Sequence, residues 1–341
     1  MDMKTETLHI SDFDYDLPQN LIAQYPIAKR DESKLLVLHR KSGKIEHRIF
    51  KDITDYFCKG DVVVMNKTKV LPARIYGKKI TGGNIEILML DSERALVKPR
   101  KSVKAGTKIF IKDISGNLTD QFAEVVSLTD TYTGLKFSKD LKNILDLYGR
   151  IPLPPYIKRP AEVSDRERYQ TVFATNDGSV AAPTAGLHFT EEVISGLKSS
   201  GVSIAEVLLH ISWSTFAPVR TEIITEHKMG VEYYEIDKRS SDLINCANRV
   251  ICVGTTSLRV VETVGREGTV MPDKGYTDMF IYPGYKFKIT DGMITNFHLP
   301  KTTLFMLVCA LAGRKNILKA YDEAKDKKYR FASYGDAMLI I

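Results

Sequence analysis

Residues 179–220 read SVAAPTAGLHFTEEVISGLKSSGVSIAEVLLHISWSTFAPVR and divide into loop, helix, strand and loop. A loop of small residues, Ala181 to Gly186, ends in Leu187, His188 and Phe189. Thr190 is placed to cap a helix, because its hydroxyl accepts from an unpaired first-turn amide. Glu191 and Glu192 suit the positive helix end, and Val193, Ile194 and Leu197 share one face. Gly201 suits the left-handed residue that closes a helix. The run 202–209 is rich in β-branched and apolar residues and reads as a buried strand. At its end come His210, Ser212, Trp213, Ser214, Thr215 and Phe216. Two histidine-bearing loops therefore flank one αβ unit, and sites in α/β folds gather at strand ends.

Outward from this unit the αβ rhythm continues downstream. A strand is expected at 231–236 and a helix at 243–249. A buried strand at 250–253 runs into Gly254-Thr255-Thr256-Ser257 and a helix through Glu262. Strand segments follow at 280–282, 285–289 and 293–297, then helices at 303–312 and 316–327 and an apolar tail at 338–341. Upstream, residues 151–160, IPLPPYIKRP, hold four prolines in ten positions. Such a segment is extended and semi-rigid and marks a domain crossing. Ser164 and Glu167 have the spacing of a capping box. Between 74 and 137, short strands alternate with turns such as Gly82-Gly83-Asn84 and Ser115-Gly116-Asn117, the texture of a small β-barrel or curled sheet. A helix at 138–148 follows. Strands at 35–39, 45–50 and 62–65, with short helices at 19–25 and 52–57, precede it. The expected organisation is an α/β domain of residues 1–73 and 151–341, interrupted by an inserted β domain of residues 74–150.

A chain of 341 residues holds one large domain or two ordinary ones. Its formal charge of +7 mildly favours a polyanionic partner, diluted by 42 acidic residues. Cys58, Cys246, Cys252 and Cys309 have neither C-x-x-C nor zinc spacing, which fits reduced thiols in a cytoplasmic protein. The acidic N-terminus lacks the apolar core of a signal peptide. The longest apolar run, 304–312, falls short of the roughly 20 residues that span a bilayer, so no membrane association is expected.

The loops carry the candidate chemistry. Gly254-Thr255-Thr256-Ser257 opens a helix after a buried strand, where free amides and the helix dipole attract an anion or carboxylate; alone, the tetrapeptide reads rather as ordinary N-capping. His188, His210 and His298 sit among small, polar or proline residues, and histidine is the usual acid/base near neutral pH. Taken singly, each is better explained by a structural hydrogen bond. None has H-E-x-x-H spacing, so no metal site is expected. Tyr282 and the segment Asn296 to Lys301 mix aromatics with Asn, His and Lys, a composition that stacks on bases and reads their edges or else builds a hairpin core. Arg74, Arg259 and Lys301 suit phosphate or carboxylate, or a solvated surface. Walker, G-x-G-x-x-G and G-x-S-x-G motifs are missing, which argues against a P-loop NTPase, a dinucleotide enzyme and an ordinary serine hydrolase.

Several blocks together carry a resemblance: VLPAR (70–74), PLPPYIK (152–158), RYQTV (168–172), AAPTAGLHFT (181–190), VGTTS (253–257) and FIYPGYKF…DGMITNFHLPKTTLFMLVCALAG (280–313). In these, and collinearly from FDYDLPQNLIAQYP to YGDAMLII, the chain resembles the S-adenosylmethionine:tRNA ribosyltransferase-isomerases of queuosine synthesis. The resemblance implies a barrel-like α/β domain interrupted by an inserted small β-barrel domain. It implies transfer and isomerisation of the ribosyl moiety of S-adenosylmethionine onto 7-aminomethyl-7-deazaguanine at the wobble position of a tRNA with a GUN-type anticodon. The products are epoxyqueuosine-tRNA, adenine and methionine. No cofactor is implied, since S-adenosylmethionine is consumed, and a monomer is expected. His188, His210 and His298 become the candidate acid/base groups. Asn66, Arg74, Pro183, Thr184, Gly186, Phe189, Thr215, Phe216, Thr255, Thr256, Ser257, Arg259, Tyr282, Asn296 and Lys301 become candidate substrate-binding residues. The chain departs from the family at Ser212-Trp213-Ser214, where Gly-x-Gly is usual, at Gly230, where a histidine is usual, and at Lys69, where an arginine is usual. Side chains in place of glycines would narrow a pocket. These departures leave two alternatives: a paralogue with another acceptor, or a tRNA-binding protein that has lost turnover.

Overall fold

A computed structural model describes residues 7–216 and 219–341, except the side chains of Ser214 and Phe216. The first six residues of the acidic N-terminus lie outside the described residues. Nine strands form one mixed sheet in the order Asp273–Thr277, Glu232–Ile236, Ser203–Leu209, Asp61–Asn66, Arg249–Val253, Gly292–Asn296, Ala337–Ile340, Lys34–His39 and Lys44–Ile49. The run of four from Ser203–Leu209 to Gly292–Asn296 is parallel. Parallel strands need both faces covered, and all six residues of Asp61–Asn66 are buried. Val62 and Val64 face one core with Leu258, Phe305 and Tyr321, which come from the helices Gly254–Val264, Thr303–Ala312 and Arg314–Asp326. Val63 and Met65 face the other core with Val193 and Leu197 of the helix Glu191–Ser199. This alternation follows from the two-residue period of a strand. Each such side chain stabilises the fold by about 1.5–3 kcal/mol relative to exposure. The sheet is an open ladder, with the polar strands Asp273–Thr277 and Lys44–Ile49 at its edges. Charge on an edge strand discourages further pairing.

The inserted segment closes into a six-stranded antiparallel barrel: Thr133–Phe137, Arg94–Lys98, Asn84–Met89, Arg74–Lys79, Lys108–Lys112 and Leu118–Leu128. Ile75, Ile85, Ile87, Val97, Ile109, Ile111, Ala123 and Val125 fill its interior at alternate positions. Closure removes both edges from a short-stranded sheet that would otherwise expose them. The helix Leu141–Tyr148, capped by Asp140 Oδ1 on Asn143 N at 3.2 Å, packs Ile144 and Leu145 against the barrel core. Arg74 and Arg150 then bridge the first strand back to the proline segment.

That segment is less a free linker than a packed strap. Ile151, Leu153 and Ile157 bury themselves with Tyr169 and Tyr334. Arg159 grips the buried carboxylate of Asp165 in a bidentate pair at 2.7 and 2.8 Å, and Tyr334 donates to the same carboxylate at 2.7 Å. Asp165 thus anchors the short helix Asp165–Arg168, and the expected Ser164 cap is not made.

Two further expectations shift. The helix placed at 243–249 is Lys238–Asn245, because Asp237 Oδ1 accepts from Ser240 N at 2.7 Å and sets its start. Segments 280–282 and 285–289 join no ladder. The amides of Lys288, Ile289 and Thr290 donate instead to the buried carboxylate of Glu262 at 2.9, 3.1 and 2.9 Å. The strand that does pair there is Asp273–Thr277, whose polar DKGYT hides it from any hydropathy pattern. The longest apolar run folds as the helix Thr303–Ala312, and among the described residues no helix is long and apolar enough to cross a membrane.

Candidate functional site

A cavity of about 500 Å³ opens at the C-terminal ends of three parallel strands, within the range of about 300–1,000 Å³ usual for small-molecule sites. Strand Ser203–Leu209 leads to Ile211 and Thr215, Arg249–Val253 to Gly254, Thr255 and Thr256, and Gly292–Asn296 to His298 and Lys301, all in its wall. Strand ends of an open α/β sheet place loops, rather than side chains of the ladder, around a ligand. Ala181, Ala182, Pro183, Thr184 and Ala185 form another wall, and their small size makes the room. Pro155, Tyr156, Ala332 and Ser333 complete it, with Tyr156 and Ser333 joined through their hydroxyls at 2.6 Å.

One end of the cavity is a helix start. Val253 offers no side-chain cap to the helix Gly254–Val264. Gly254 has φ 82°, a left-handed conformation that a side chain would strain. The first-turn amides of a helix have no partner within it. Thr256, nine-tenths buried, has a hydroxyl with no protein partner among the described residues. A buried hydroxyl left unpaired costs about 1–3 kcal/mol, so this end of the cavity suits an oxygen-rich, negatively charged group. Ser257, by contrast, spends its hydroxyl on Val253 O at 2.9 Å and does not line the cavity.

His298 also lines the cavity. Its Nε2 meets Thr295 Oγ1 at 2.7 Å, its amide donates to Tyr321 Oη at 3.0 Å, and Tyr15 donates to its carbonyl. Nδ1 has no protein partner among the described residues. Burial pushes the imidazole pKa down to about 3, so it is uncharged at neutral pH. Lys301 and Ala332, both in the wall, hold left-handed conformations at φ 58° and 67°. Such positions cost on the order of 1–3 kcal/mol and cluster at ligand sites. Lys301 also pairs with Asp14 at 2.7 Å.

Behind the wall runs a buried polar chain. Thr184 donates to Asn296 Oδ1 at 2.9 Å, and Asn296 Nδ2 donates to His188 Nε2 at 3.1 Å. Nδ1 of His188 is then the protonated nitrogen and meets Ser33 Oγ at 2.8 Å. Burial first, then the cations of Arg330 and Arg30, lower this imidazole to about 3. His188 does not reach the cavity; through Asn296 it orients the amide and the Thr184 hydroxyl that do. A second pair stands behind Thr215. Glu232, fully buried, accepts from Ser212 N at 2.8 Å and from Thr215 Oγ1 at 3.0 Å and pairs with Arg259 Nη1. Arg259 also donates Nε to Met279 O at 3.0 Å, while its Nη2 has no partner.

Of the residues singled out in the sequence, the cavity gathers Pro183, Thr184, Thr215, Thr255, Thr256, Asn296, His298 and Lys301. The others stand elsewhere. Asn66 ties Thr68 and Leu209 backbone atoms together, and no polar atom of it faces the cavity. Gly186 packs on Thr171 and Phe173, and Phe189 on Phe50 and Phe173. Arg74 pairs with Glu86 at 3.2 Å and lies over Trp213 at 5.8 Å. His210 bonds Thr68 Oγ1 at 2.9 Å and is held between Tyr233 and Gly178, where a Cβ would come within 2.6 Å of the ring. Tyr282 lines a separate recess with Phe280 and Tyr285. Phe216 has its side chain outside the described residues. Of the two residues that stand in place of glycines, Ser212 does not line the cavity and the side chain of Ser214 lies outside the described residues; Trp213 between them turns to the barrel core. Glu232 escaped sequence reasoning, although a carboxylate in the inward phase of EYYEI, with Tyr234 and Ile236, was a signal. Tyr156 and Ser333 offered none. Among the described residues no cluster of His, Cys, Asp and Glu is placed to hold a metal.

Comparison with known proteins agrees with this arrangement. The family model described as queuosine biosynthesis protein matches residues 10–340. A protein of Carboxydothermus hydrogenoformans, named S-adenosylmethionine:tRNA ribosyltransferase-isomerase, is 51% identical over 98% of this chain and 100% of its own length. A protein of the same name from Desulforamulus reducens is 49% identical with the same coverage. The crystal structure of S-adenosylmethionine tRNA ribosyltransferase from Thermotoga maritima is 38% identical, covers 97% of this chain and 100% of that one, and superposes with a TM-score of 0.56. With its strand-end cavity, inserted barrel and full-length likeness to these transferases, the chain belongs to the queuosine biosynthesis protein family and is an enzyme of the transferase class.

Proposed function

We propose that the enzyme transfers and isomerises the ribosyl moiety of S-adenosylmethionine onto 7-aminomethyl-7-deazaguanine at the tRNA wobble position, releasing adenine and methionine. The observation that carries this reading is one cavity lined by two unlike groups. An uncapped helix start with the unpaired Thr256 hydroxyl suits the methionine carboxylate. The same cavity offers an uncharged imidazole, His298. A neutral imidazole does not repel the sulfonium cation, and in the tautomer whose Nε2 donates to Thr295 its Nδ1 can accept a proton. The sulfonium acidifies the adjacent ribose carbon and makes methionine a leaving group. His298, the one histidine of the three that lines the cavity, is assigned to proton transfer there; His188 and His210 are assigned to positioning. We assign residues 1–73 and 151–341 to catalysis and 74–150 to RNA. In this reading the enzyme is a cytoplasmic monomer, recognises a GUN-type anticodon and needs no metal or redox cofactor.

Adenine release from S-adenosylmethionine tests the proposal. Release that requires the modified tRNA is expected, and His298→Ala should slow it by about 10²–10⁴-fold with tRNA affinity unchanged. Release with another acceptor, or tRNA binding without release, would overturn it in favour of a paralogue or a binding protein.

A further inference from the structure

The chain's positive charge is unevenly spread. Residues 74–150 hold fourteen Lys and Arg against nine Asp and Glu, so five of the seven net charges lie in the barrel segment. A groove of about 480 Å³ on the barrel collects several of them. Lys79, Lys101, Lys104 and Lys108 line it around Phe110, and no carboxylate does. Among the described residues none of the four makes an ion pair: Lys79 donates to Ser102 O at 2.8 Å, and Lys108 lies 4.7 Å over the Phe122 ring. Lys101, Lys104 and Lys108 are exposed. Like charges held together without counter-charges repel one another, and a bound polyanion relieves that repulsion.

We infer that this groove binds the sugar–phosphate backbone of RNA, at a contact separate from the catalytic cavity. The inference rests on the proposed function, which supplies the RNA. Its position argues for a macromolecule over a mononucleotide. Lys79 ends the strand that begins at Arg74, and Arg74 lies over Trp213, in the turn that carries the cavity residue Thr215. Five residue steps at ~3.3 Å put the groove roughly 17 Å along the barrel from that junction. One partner that enters the cavity and reaches the groove spans a length on the order of that strand, as a stem-loop does. Phe110 in the floor offers a ring face to a nucleotide.

The test compares the wild-type enzyme with the triple variant Lys101→Ala, Lys104→Ala, Lys108→Ala. A control of equal charge change is Lys315→Ala, Lys319→Ala, Lys327→Ala on the helix Arg314–Asp326 and its end. Affinity for an unmodified tRNA transcript is measured across a salt series. For the barrel variant, affinity should fall and the slope of log K against log salt should shrink by about 0.7–0.9 for each phosphate that is no longer neutralised. Binding of S-adenosylmethionine alone, and adenine release at saturating modified tRNA, should be unchanged. An unchanged slope, or an equal change in the control, would overturn the groove while leaving the proposed reaction intact. Failure of the wild type to bind tRNA at all would overturn both.

Discussion

Replacing His188 with Gln separates a positioning histidine from a catalytic one. In the folded chain burial lowers the His188 pKa from 6.5 to about 3. The unfolded chain therefore takes up a proton between those values that the folded chain refuses. Stability contributed by the neutral ring is present above pH 6.5 and is lost progressively as pH falls toward 3. Each pH unit in that window is worth about 1.4 kcal/mol, so the wild type loses about 2 kcal/mol through this residue between pH 6.5 and 5. His188→Gln removes the titration. It also breaks the hydrogen bonds to Ser33 and Asn296, at a cost of about 1–3 kcal/mol at pH 7. His298, depressed in the same direction, is present in both proteins and cancels in the difference. Urea midpoints of the two proteins at pH 7.5, 6.5, 5.5 and 5.0 should converge as the solution is acidified. Adenine release should be slower in the variant, with an unchanged shape of its pH profile, because the ring is neutral throughout the working range. Parallel stability curves would refute the burial argument, and loss of an activity limb near pH 6.5 would return His188 to catalysis.

Other consequences concern the unpaired Thr256 hydroxyl and the buried ion pair. Glu232→Ala strands the Arg259 cation and releases Ser212 N and Thr215 Oγ1; denaturant unfolding should show a loss of about 3–5 kcal/mol, and an unchanged midpoint would contradict the pairing. Thr256→Val keeps the shape and removes a hydroxyl without a protein partner. Stability should hold or rise slightly, while calorimetry should find S-adenosylmethionine bound about tenfold more weakly, a change of about 1.4 kcal/mol; equal affinity would remove the helix start from the site.

Much of the site was readable from local chemistry. The loop 181–185 shows its small residues openly, and the segment Asn296 to Lys301 concentrates polar groups after a strand; both line the cavity. Where reading failed, the deciding contact was remote. His188 and Asn296 are 108 positions apart, so nothing near His188 shows that its ring is already engaged. Tyr156 and Ser333, separated by 177 positions, meet only because the proline strap crosses the cavity mouth near the last strand.

By itself the sequence determined what depends on short-range physics. A short continuous apolar run made Asp61–Asn66 a strand with two buried faces, closely spaced turns made residues 74–137 a small barrel, and the matched blocks assigned the family. Tertiary structure alone decided which of three similar histidines meets the cavity and which is spent on Asn296 or Thr68. It also turned Trp213 toward the barrel and buried Glu232 against Arg259 behind Thr215. The reason is physical: backbone preference is written within a few residues, whereas desolvation and hydrogen-bond pairing are set by whichever distant groups the fold brings within about 3 Å.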